Sequence, residues 1–169
     1  ILTLKISCWM AALFVLILVQ QVLQKKGGQE RQALGRSKGG FTTKIHAVVD
    51  ALGNPLEFVI TAGQAHEMSQ ALILVSAFPQ AKNVIADKGY DCNHLAQTLH
   101  EQGSVPIIPS RSNAKSPRHF DKDLYKERYL VECLFNKMKY FRRVFSRFDK
   151  LAKRYISFLH FAATLLWLK

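Results

Sequence analysis

The sequence predicts a mixed α/β fold in a single domain, in which helices flank a sheet. Its 169 residues, 49% of them hydrophobic, are enough for one buried core. Two β-rich segments flank the turn sequence of residues 52–55, a pattern typical of an antiparallel hairpin. Beyond the hairpin, short apolar stretches alternate with helical segments, which indicates strands and helices of one mixed sheet.

The first forty residues lie outside this pattern. Residues 6–19 are apolar except for Ser7, but they are fewer than the ~20 residues that span a bilayer. A weak anchor, a buried strand and an artefact all remain open for this segment. Residues 25–40 are basic and rich in glycine, and they predict a flexible loop.

Local signals set the bounds of the other elements. Gly103 closes a helix, and Asp91 is expected to cap the start of that helix. Asp50 leads into the hairpin and is expected to be a turn residue. The predicted strands cover residues 41–49, 56–61, 83–86 and 105–108. The predicted helices cover residues 65–78, 92–102, 121–145 and 149–168.

Charge is distributed unevenly along the chain, whose net charge is +12. It runs from +5 over residues 25–46, through −4 over residues 47–110, to +10 over residues 111–169. Such basic flanks favour a nucleic-acid partner, although solubility charge that happens to cluster is the alternative. The three cysteines and six histidines share no metal-ligand spacing, so zinc is not expected.

A polar stripe accompanies the apolar stripe of residues 121–145. Arg128, Glu132 and Lys139 follow Tyr125 at offsets of 3, 7 and 14 residues, which places all four on one face of a continuous helix. A carboxylate flanked by two cations and a phenol could bind a metal ion while its neighbours hold phosphates. The alternative is an ordinary Arg128–Glu132 surface pair worth about 0.3–0.5 kcal/mol.

Asp87 follows a short buried strand and precedes Lys88, Gly89 and Tyr90. Catalytic groups of α/β sheets are presented where strands end, although a lone Asp there is more often a cap or turn residue. Together with Glu132, Asp87 supplies two of the carboxylates that clamp divalent ions for in-line phosphoryl displacement.

Three separated motifs resemble bacterial insertion-sequence DDE transposases with the Tyr-Arg-Glu-Lys signature (insertion sequence 4 / insertion sequence 5 type). They occur in the family's order, and the resemblance covers roughly residues 25–169. The motifs are Gly35-Arg36-Ser37-Lys38-Gly39-Gly40-Phe41-Thr42-Thr43-Lys44-Ile45-His46, Ala86-Asp87-Lys88-Gly89-Tyr90-Asp91, and the set Tyr125, Arg128, Glu132 and Lys139.

The resemblance implies a ribonuclease-H-like α/β fold and a site for two Mg²⁺ or Mn²⁺ ions, built from Asp, Asp and Glu, that cuts and joins DNA strands. Asp87 matches the second Asp and Glu132 matches the Glu, so both are expected to be catalytic and metal-binding. The implied partner is double-stranded DNA, both transposon terminal inverted repeats and target DNA. A homodimer in the bacterial cytoplasm, associated with the nucleoid and not with a membrane, is also expected. The residues expected to bind DNA phosphates are Tyr125, Arg128, Lys139, Arg142, Arg143, Arg36 and Lys38.

A run of bases over residues 137–154 is interleaved with aromatic residues. In the context of the resemblance, this run, which includes Arg147, favours a track for DNA. The alternative is a solvated basic face.

The family's first Asp is missing, since no acidic residue precedes Glu30. Trp9 and Met10 have single codons, and a frame that starts at the third base of Trp9 reads GAT, an Asp. Continued to Ile17, that frame permits Asp-Gly-Ser-Ile-Val-Arg-Ala-His, which resembles the family's first-Asp strand. We therefore hypothesise that residues 1–24 are translated out of frame and that the first strand of the sheet is missing or altered.

The predicted organisation has three parts. Residues 1–24 are an out-of-frame apolar segment, residues 25–40 a basic Gly-rich loop, and residues 41–169 the C-terminal part of a transposase catalytic domain. The ancestral activity is metal-dependent DNA cleavage and strand transfer, impaired here because the first Asp is absent. The alternatives are a non-catalytic DNA-binding relic or inhibitor and, resting only on residues 6–19, a small basic membrane protein.

Overall fold

A computed structural model describes residues 12–15, 17–21, 32–37, 40–65 and 68–168. The strands are β1 (Ala12–Val15), β2 (Ile17–Gln21), β3 (Gly35–Ser37), β4 (Gly40–Val49), β5 (Pro55–Ala62), β6 (Asn83–Ala86) and β7 (Val105–Ile107). The helices are α1 (Met68–Ser76), α2 (Asn93–Glu101), α3 (Lys122–Lys126), α4 (Tyr129–Met138), α5 (Arg142–Phe145) and α6 (Ala152–Trp167). The mixed α/β class predicted from the sequence is confirmed.

The strands form two ladders that meet at β1 and β2. In one, β1 pairs parallel with β6, and β6 pairs parallel with β7. In the other, β4 pairs antiparallel with β2 on one side and with β3 and β5 on the other. One residue separates β1 from β2, and β1 also contacts β4. The strand order across the molecule is therefore β5, β4, the β1–β2 segment, β6 and β7.

The first strand of the sheet is present, in contrast to one of the two options expected from the sequence. Its described part, residues 12–15 and 17–21, is paired on both sides. No helix within the described residues is long and apolar enough to cross a membrane. The described residues of the apolar segment, 12–15 and 17–19, form strands in the sheet, which leaves the artefact interpretation untested.

The hairpin of β4 and β5 is confirmed, and Asp50 is its turn residue. One carboxylate oxygen of Asp50 accepts hydrogen bonds from the backbone N–H groups of Leu52 and Asn54, each at 2.9 Å. Gly53 completes the turn with a φ of +81°, a conformation that disfavours a side chain. Short polar side chains that bond to the backbone stabilise such turns.

Helices cover both faces of the sheet. Along β6, Ile85 belongs to one core cluster, whereas Val84 and Ala86 belong to the other. This alternation follows from the two-residue period of a strand. The Ile85 cluster includes buried residues of α4 and α6, and the second cluster includes those of α1 and α2. Strand β7 was expected to be buried, but Val105 is 53% exposed because β7 lies at the end of its ladder.

The C-terminal end of α2 is as predicted from the sequence, but the residue that caps its N-terminus is not. Gly103, with a φ of +78°, donates to the His100 carbonyl, and Ser104 donates to the Leu99 carbonyl, as in a Schellman motif. The expected cap, Asp91, is not the N-cap residue, which is Cys92. The Asp91 carboxylate instead accepts from the backbone N–H of Arg111 at 2.8 Å. A long-range partner therefore takes the place of the local cap.

The prediction of one continuous helix over residues 121–145 is wrong. The chain forms α3, α4 and α5, because i→i−3 hydrogen bonds tighten the backbone at the junctions. Arg128 donates to the Tyr125 carbonyl at 3.1 Å and Phe141 to the Met138 carbonyl at 3.0 Å. The apolar period continues across both breaks, so periodicity did not reveal them. The last helix also begins later than predicted, at Ala152.

Candidate active site

The carboxylate of Asp87 lies where β6 ends. Asp87 caps a single 3₁₀ turn, Lys88–Tyr90, and its Oδ1 accepts from the Lys88 N–H at 2.7 Å. The Tyr90 N–H closes the turn on the Asp87 carbonyl at 2.9 Å. The side chain is half-buried, so Asp87 is both a turn-capping residue and a carboxylate open to a ligand.

Glu132 lies in the first turn of α4 and is paired with Arg128. One guanidinium nitrogen of Arg128 lies 2.6 Å from Glu132 Oε1. The Arg128 side chain is 26% exposed and that of Glu132 is 45% exposed. The guanidinium also lies over the Tyr125 ring, 5.9 Å from its centroid. The break between α3 and α4 thus leaves these three residues in contact, although they do not share one continuous helix.

The electrostatics connect this set to Asp87. Burial raises the pKa of Tyr125, and the negative charges of Asp87 and Glu132 raise it further against the opposing effect of Arg128. Burial lowers the pKa of Arg128, but Glu132, Tyr125 and Asp87 outweigh that effect and leave the pKa raised. Both carboxylates therefore act on the same phenol and guanidinium. We call Asp87, Tyr125, Arg128 and Glu132 the carboxylate site.

Lys139 is not part of the carboxylate site among the described contacts. It is the C-cap residue of α4, and its ammonium donates to Asn136 Oδ1 at 3.2 Å. Arg142 and Arg143 are exposed, with their guanidinium carbons 5.7 Å and 4.6 Å from the ring centroids of Phe148 and Phe158. Lys38 and the side chain of Arg36 lie outside the described residues.

Arg147, which the sequence placed in the basic track, is instead buried. It is 3% exposed, and its guanidinium lies 5.0 Å from the centroid of the Tyr155 ring. Burial lowers its pKa, while Tyr155 and Asp149 act in the opposite direction. Its acceptors are the carbonyl oxygens of Gln32 (2.7 Å), Ala33 (3.1 Å), Asp149 (3.0 Å) and Lys150 (3.1 Å) and the Thr43 hydroxyl. These bonds fix the chain before α6, and no local signal distinguishes this arginine from its exposed neighbours.

His46 is a second buried polar residue that sequence reasoning did not single out. It is 0% exposed, with Nδ1 3.1 Å from the Tyr90 hydroxyl and Nε2 3.0 Å from the Thr61 hydroxyl. Burial and the charge of Lys44 lower its pKa to about 4. A neutral imidazole therefore connects β4 to the 3₁₀ turn that carries Asp87.

A groove with a volume of about 730 Å³ opens beside Asp87. Its described lining has one acid, Asp87, and three basic residues, Lys44, Lys88 and Arg111. None of these three belongs to the predicted basic track. They come from β4, the 3₁₀ turn and the loop after β7, and only the fold brings them together.

The described residues contain no group of three or more His, Cys, Asp or Glu side chains that could hold a metal ion. Asp87 and Glu132 are nevertheless donors of the right kind, because Mg²⁺ prefers oxygen ligands and is often bound by one or two carboxylates together with substrate phosphates. The two residues fit a divalent cation in chemistry, but they are one carboxylate short of the set of three implied by the resemblance.

Comparison with known proteins identifies the class of protein. The family described as Transposase DDE domain matches residues 20–167. The chain belongs to this family of bacterial insertion-sequence DDE transposases.

Two relatives are transposases of particular insertion sequences. A Brucella ovis protein assigned as a transposase for insertion sequence element IS6501 is 39% identical over 133 residues, which cover 76% of this chain and all of the relative. A Burkholderia cepacia protein assigned to IS402 is 30% identical over 135 residues, covering 73% of this chain and 62% of the relative. No solved structure matches the chain. The family predicted from the three motifs is thus confirmed.

Proposed function

We propose that the chain binds DNA through a transposase catalytic domain in which Asp87 and Glu132 are two of three metal-binding carboxylates. The observation that carries this proposal is the carboxylate site. Glu132 is paired with Arg128 at 2.6 Å, and Asp87, 45 residues earlier in the sequence, lies where β6 ends and adds its charge to the field at the same Tyr125–Arg128 pair. Family membership supports the activity itself, namely metal-dependent cleavage and transfer of DNA strands.

The strand arrangement supports a ribonuclease-H-like sheet. An antiparallel hairpin lies beside the first strand, which pairs parallel with the strand that ends at Asp87. Helices lie on both faces of this sheet. The first strand and β6 are direct neighbours, so a carboxylate on the first strand could reach the same site as Asp87.

The residues of the carboxylate site have separate roles in this proposal. When bound, Mg²⁺ or Mn²⁺ would polarise the scissile phosphate and activate the attacking oxygen. Arg128 holds the Glu132 carboxylate in place through their ion pair, and Tyr125 supports the guanidinium from one side. Further out, Arg36, Lys38, Lys139, Arg142 and Arg143 would bind DNA phosphates as point charges or hydrogen-bond donors.

We further propose that residues 1–24 are out of frame, followed by the basic loop of residues 25–40 and the catalytic domain of residues 41–169. The family match begins at residue 20, which supports a change near this point. The first strand is parallel to β6 with Val15 opposite Ala86, the residue immediately before Asp87. The alternative frame supplies its Asp near residue 10, about 20 Å away at the rise of an extended strand. The restored strand must therefore pair in a shifted register for its Asp to reach Asp87.

The decisive experiment compares the chain with its frame-restored version. The nucleotide sequence across codons 1–26 identifies the frame, and the restored protein should nick its own element's ends in Mg²⁺ or Mn²⁺. Asp87→Ala and Glu132→Ala should abolish that nicking, whereas Asp123→Ala, which removes an exposed acid, should not. Robust metal-dependent cleavage by the unrestored chain would overturn the out-of-frame proposal.

A non-catalytic DNA-binding relic or inhibitor is the second candidate. It is favoured by the lack of a third metal-binding side chain near Asp87 and Glu132 among the described residues. Such a protein would bind the element's ends and block cleavage by the frame-restored version in a mixed assay. An unrestored chain that leaves this cleavage unaffected would argue against the inhibitor.

A further inference from the structure

We propose that the groove beside Asp87 is a binding site for the phosphodiester backbone of DNA, with Lys44, Lys88 and Arg111 as its cationic residues. This inference rests on the proposed function and extends it, because it assigns a path for the DNA on the Asp87 side of the carboxylate site. We call this set of three residues the groove cations.

The groove cations are held by the fold rather than by a local sequence run. The Lys44 ammonium donates to the Ala65 carbonyl at 2.9 Å, which directs it to the edge of the groove. Arg111 donates its backbone N–H to the Asp91 carboxylate at 2.8 Å and a guanidinium N–H to the Gly89 carbonyl at 3.3 Å. Lys88 immediately follows Asp87 on the 3₁₀ turn. The loop after β7 and the turn after β6 are thus fixed to each other across the groove.

The chemistry of the lining points to a phosphate-containing polymer. Three basic residues face a single acid, so the described lining has a net charge of +2 at neutral pH. Ser112, Asn113 and Gln64 add neutral hydrogen-bonding groups, and Ala65 is the one apolar side chain of the described lining. Such a lining does not favour an apolar ligand. Phosphate oxygens, by contrast, bind Lys and Arg side chains and neutral donors.

The presence of Asp87 in the groove favours a DNA phosphodiester over a simple anion as the ligand. The Asp87 carboxylate weakens the attraction of the basic groove for a bare anion, but it could hold a phosphodiester through a divalent cation. A DNA strand that follows the groove cations would therefore present a phosphate to the Asp87 side of the metal-binding site. The volume of about 730 Å³ is within the range of pockets that enclose a ligand of moderate size, and here it would accept a few nucleotide units.

The test measures DNA binding by charge-matched double variants. The full chain is titrated with a fluorescein-labelled 30-base-pair duplex of random sequence, and with one of its single strands, over a series of NaCl concentrations. Lys88→Ala combined with Arg111→Ala removes two groove cations. Lys115→Ala combined with Lys122→Ala removes the same charge from exposed positions outside the groove.

The groove variant should bind the duplex about tenfold more weakly, and the log–log salt slope should fall by about 1.8, as expected for two lost phosphate contacts. The control variant should change affinity less than about twofold, since general charge contributes weakly once screened. Lys88→Arg with Arg111→Lys should restore most of the binding, and equal unfolding midpoints would show that all variants are folded.

Equal losses in the groove and control variants would overturn the proposal, because the groove cations would then act only through the overall field. The two hypotheses fail differently. If the unaltered chain shows no salt-dependent DNA binding, the proposed function fails. If the chain binds DNA and the groove variant binds equally well, only the groove assignment fails. If the groove variant loses affinity only for the single strand, the groove remains assigned as a binding site for unpaired DNA.

Discussion

Two sets of arginines, separated by only a few residues, occupy opposite environments in this protein. Arg142 and Arg143 are exposed and stack on aromatic rings, whereas Arg147 is 3% exposed and makes five hydrogen bonds. Four of those five acceptors are backbone carbonyls, which cannot be lost by mutation. The comparison teaches that a basic run in sequence does not define one function, because long-range acceptors decide which base becomes part of the fold.

The same contrast separates the buried polar residues from the carboxylate site. His46 and Arg147 have fixed partners in the interior, so their bonds define the positions of β4 and of the segment before α6. Arg128 and Glu132 are instead paired with each other through partly exposed side chains. Partly exposed partners of this kind can exchange for a metal ion, water or a phosphate, as the proposed catalytic site requires. We therefore expect the interior set to determine stability and the exposed set to determine binding.

The largest effect is expected from Arg147→Met. This change removes the arginine donor from the partly buried carbonyls of Gln32, Asp149 and Lys150, and each group left unsatisfied in the interior costs about 1–3 kcal/mol. The Ala33 carbonyl, at a residue with a φ of +50°, loses one of its two donors and keeps the Thr43 hydroxyl. We expect the free energy of unfolding to fall by about 3–5 kcal/mol, measured by urea denaturation.

The matched control is Arg142→Met, which removes the same guanidinium from an exposed position. It should change the free energy of unfolding by less than about 0.5 kcal/mol. If both variants lost the same stability, the buried and exposed arginines would not differ in the way the structure indicates.

The second largest effect concerns pH and His46. Its pKa in the folded protein is about 4, below the ordinary value of 6.5, so the unfolded chain binds a proton more readily. The contribution of neutral His46 to the free energy of unfolding is therefore fully present above pH 6.5, and it is lost as the pH falls towards 4. The lost contribution reaches about 3 kcal/mol at the lower end.

His46→Gln is the variant that isolates this contribution. Glutamine can still bond to the Thr61 hydroxyl but does not titrate, so its stability should vary less between pH 6.5 and 4.5. Denaturation curves at several pH values give this dependence directly. Identical pH profiles for the two proteins would show that other groups cause the acid sensitivity.

The elements dominated by local signals were predictable from sequence, but the contacts between them were not. The hairpin with Asp50, the strand before Asp87 and the Gly103 helix end follow from turn chemistry and apolar pattern. The breaks at Arg128 and Phe141 were missed because the apolar period continues through them. Motif spacing singled out Asp87 and Glu132, whose role as catalytic and metal-binding residues stays a prediction. The sequence could not place Lys44 and Arg111 beside Asp87, since only the fold brings them there.

A smaller effect is expected for DNA binding by the exposed arginines. Arg142→Ala combined with Arg143→Ala should weaken duplex binding by up to about tenfold and reduce the salt slope by at most about 1.8. Fluorescence anisotropy across a salt series measures both quantities. An unchanged slope would assign these bases to a solvated face, and an unfolding curve controls for the Arg143–Asp149 pair, whose closest atoms are 3.8 Å apart.

The smallest effect is expected for the Arg128–Glu132 pair when it is measured as stability. With side chains 26% and 45% exposed, the pair is screened by solvent, although its 2.6 Å geometry is good. A double-mutant cycle of Arg128→Ala and Glu132→Ala should give a coupling of about 0.5 kcal/mol in urea denaturation. Under the proposed function, the same single changes should remove cleavage by the frame-restored protein almost completely, because each disturbs a proposed metal-binding carboxylate or the cation that orients it. A coupling above about 2 kcal/mol would instead place the pair with Arg147 and His46, as part of the interior that maintains the fold.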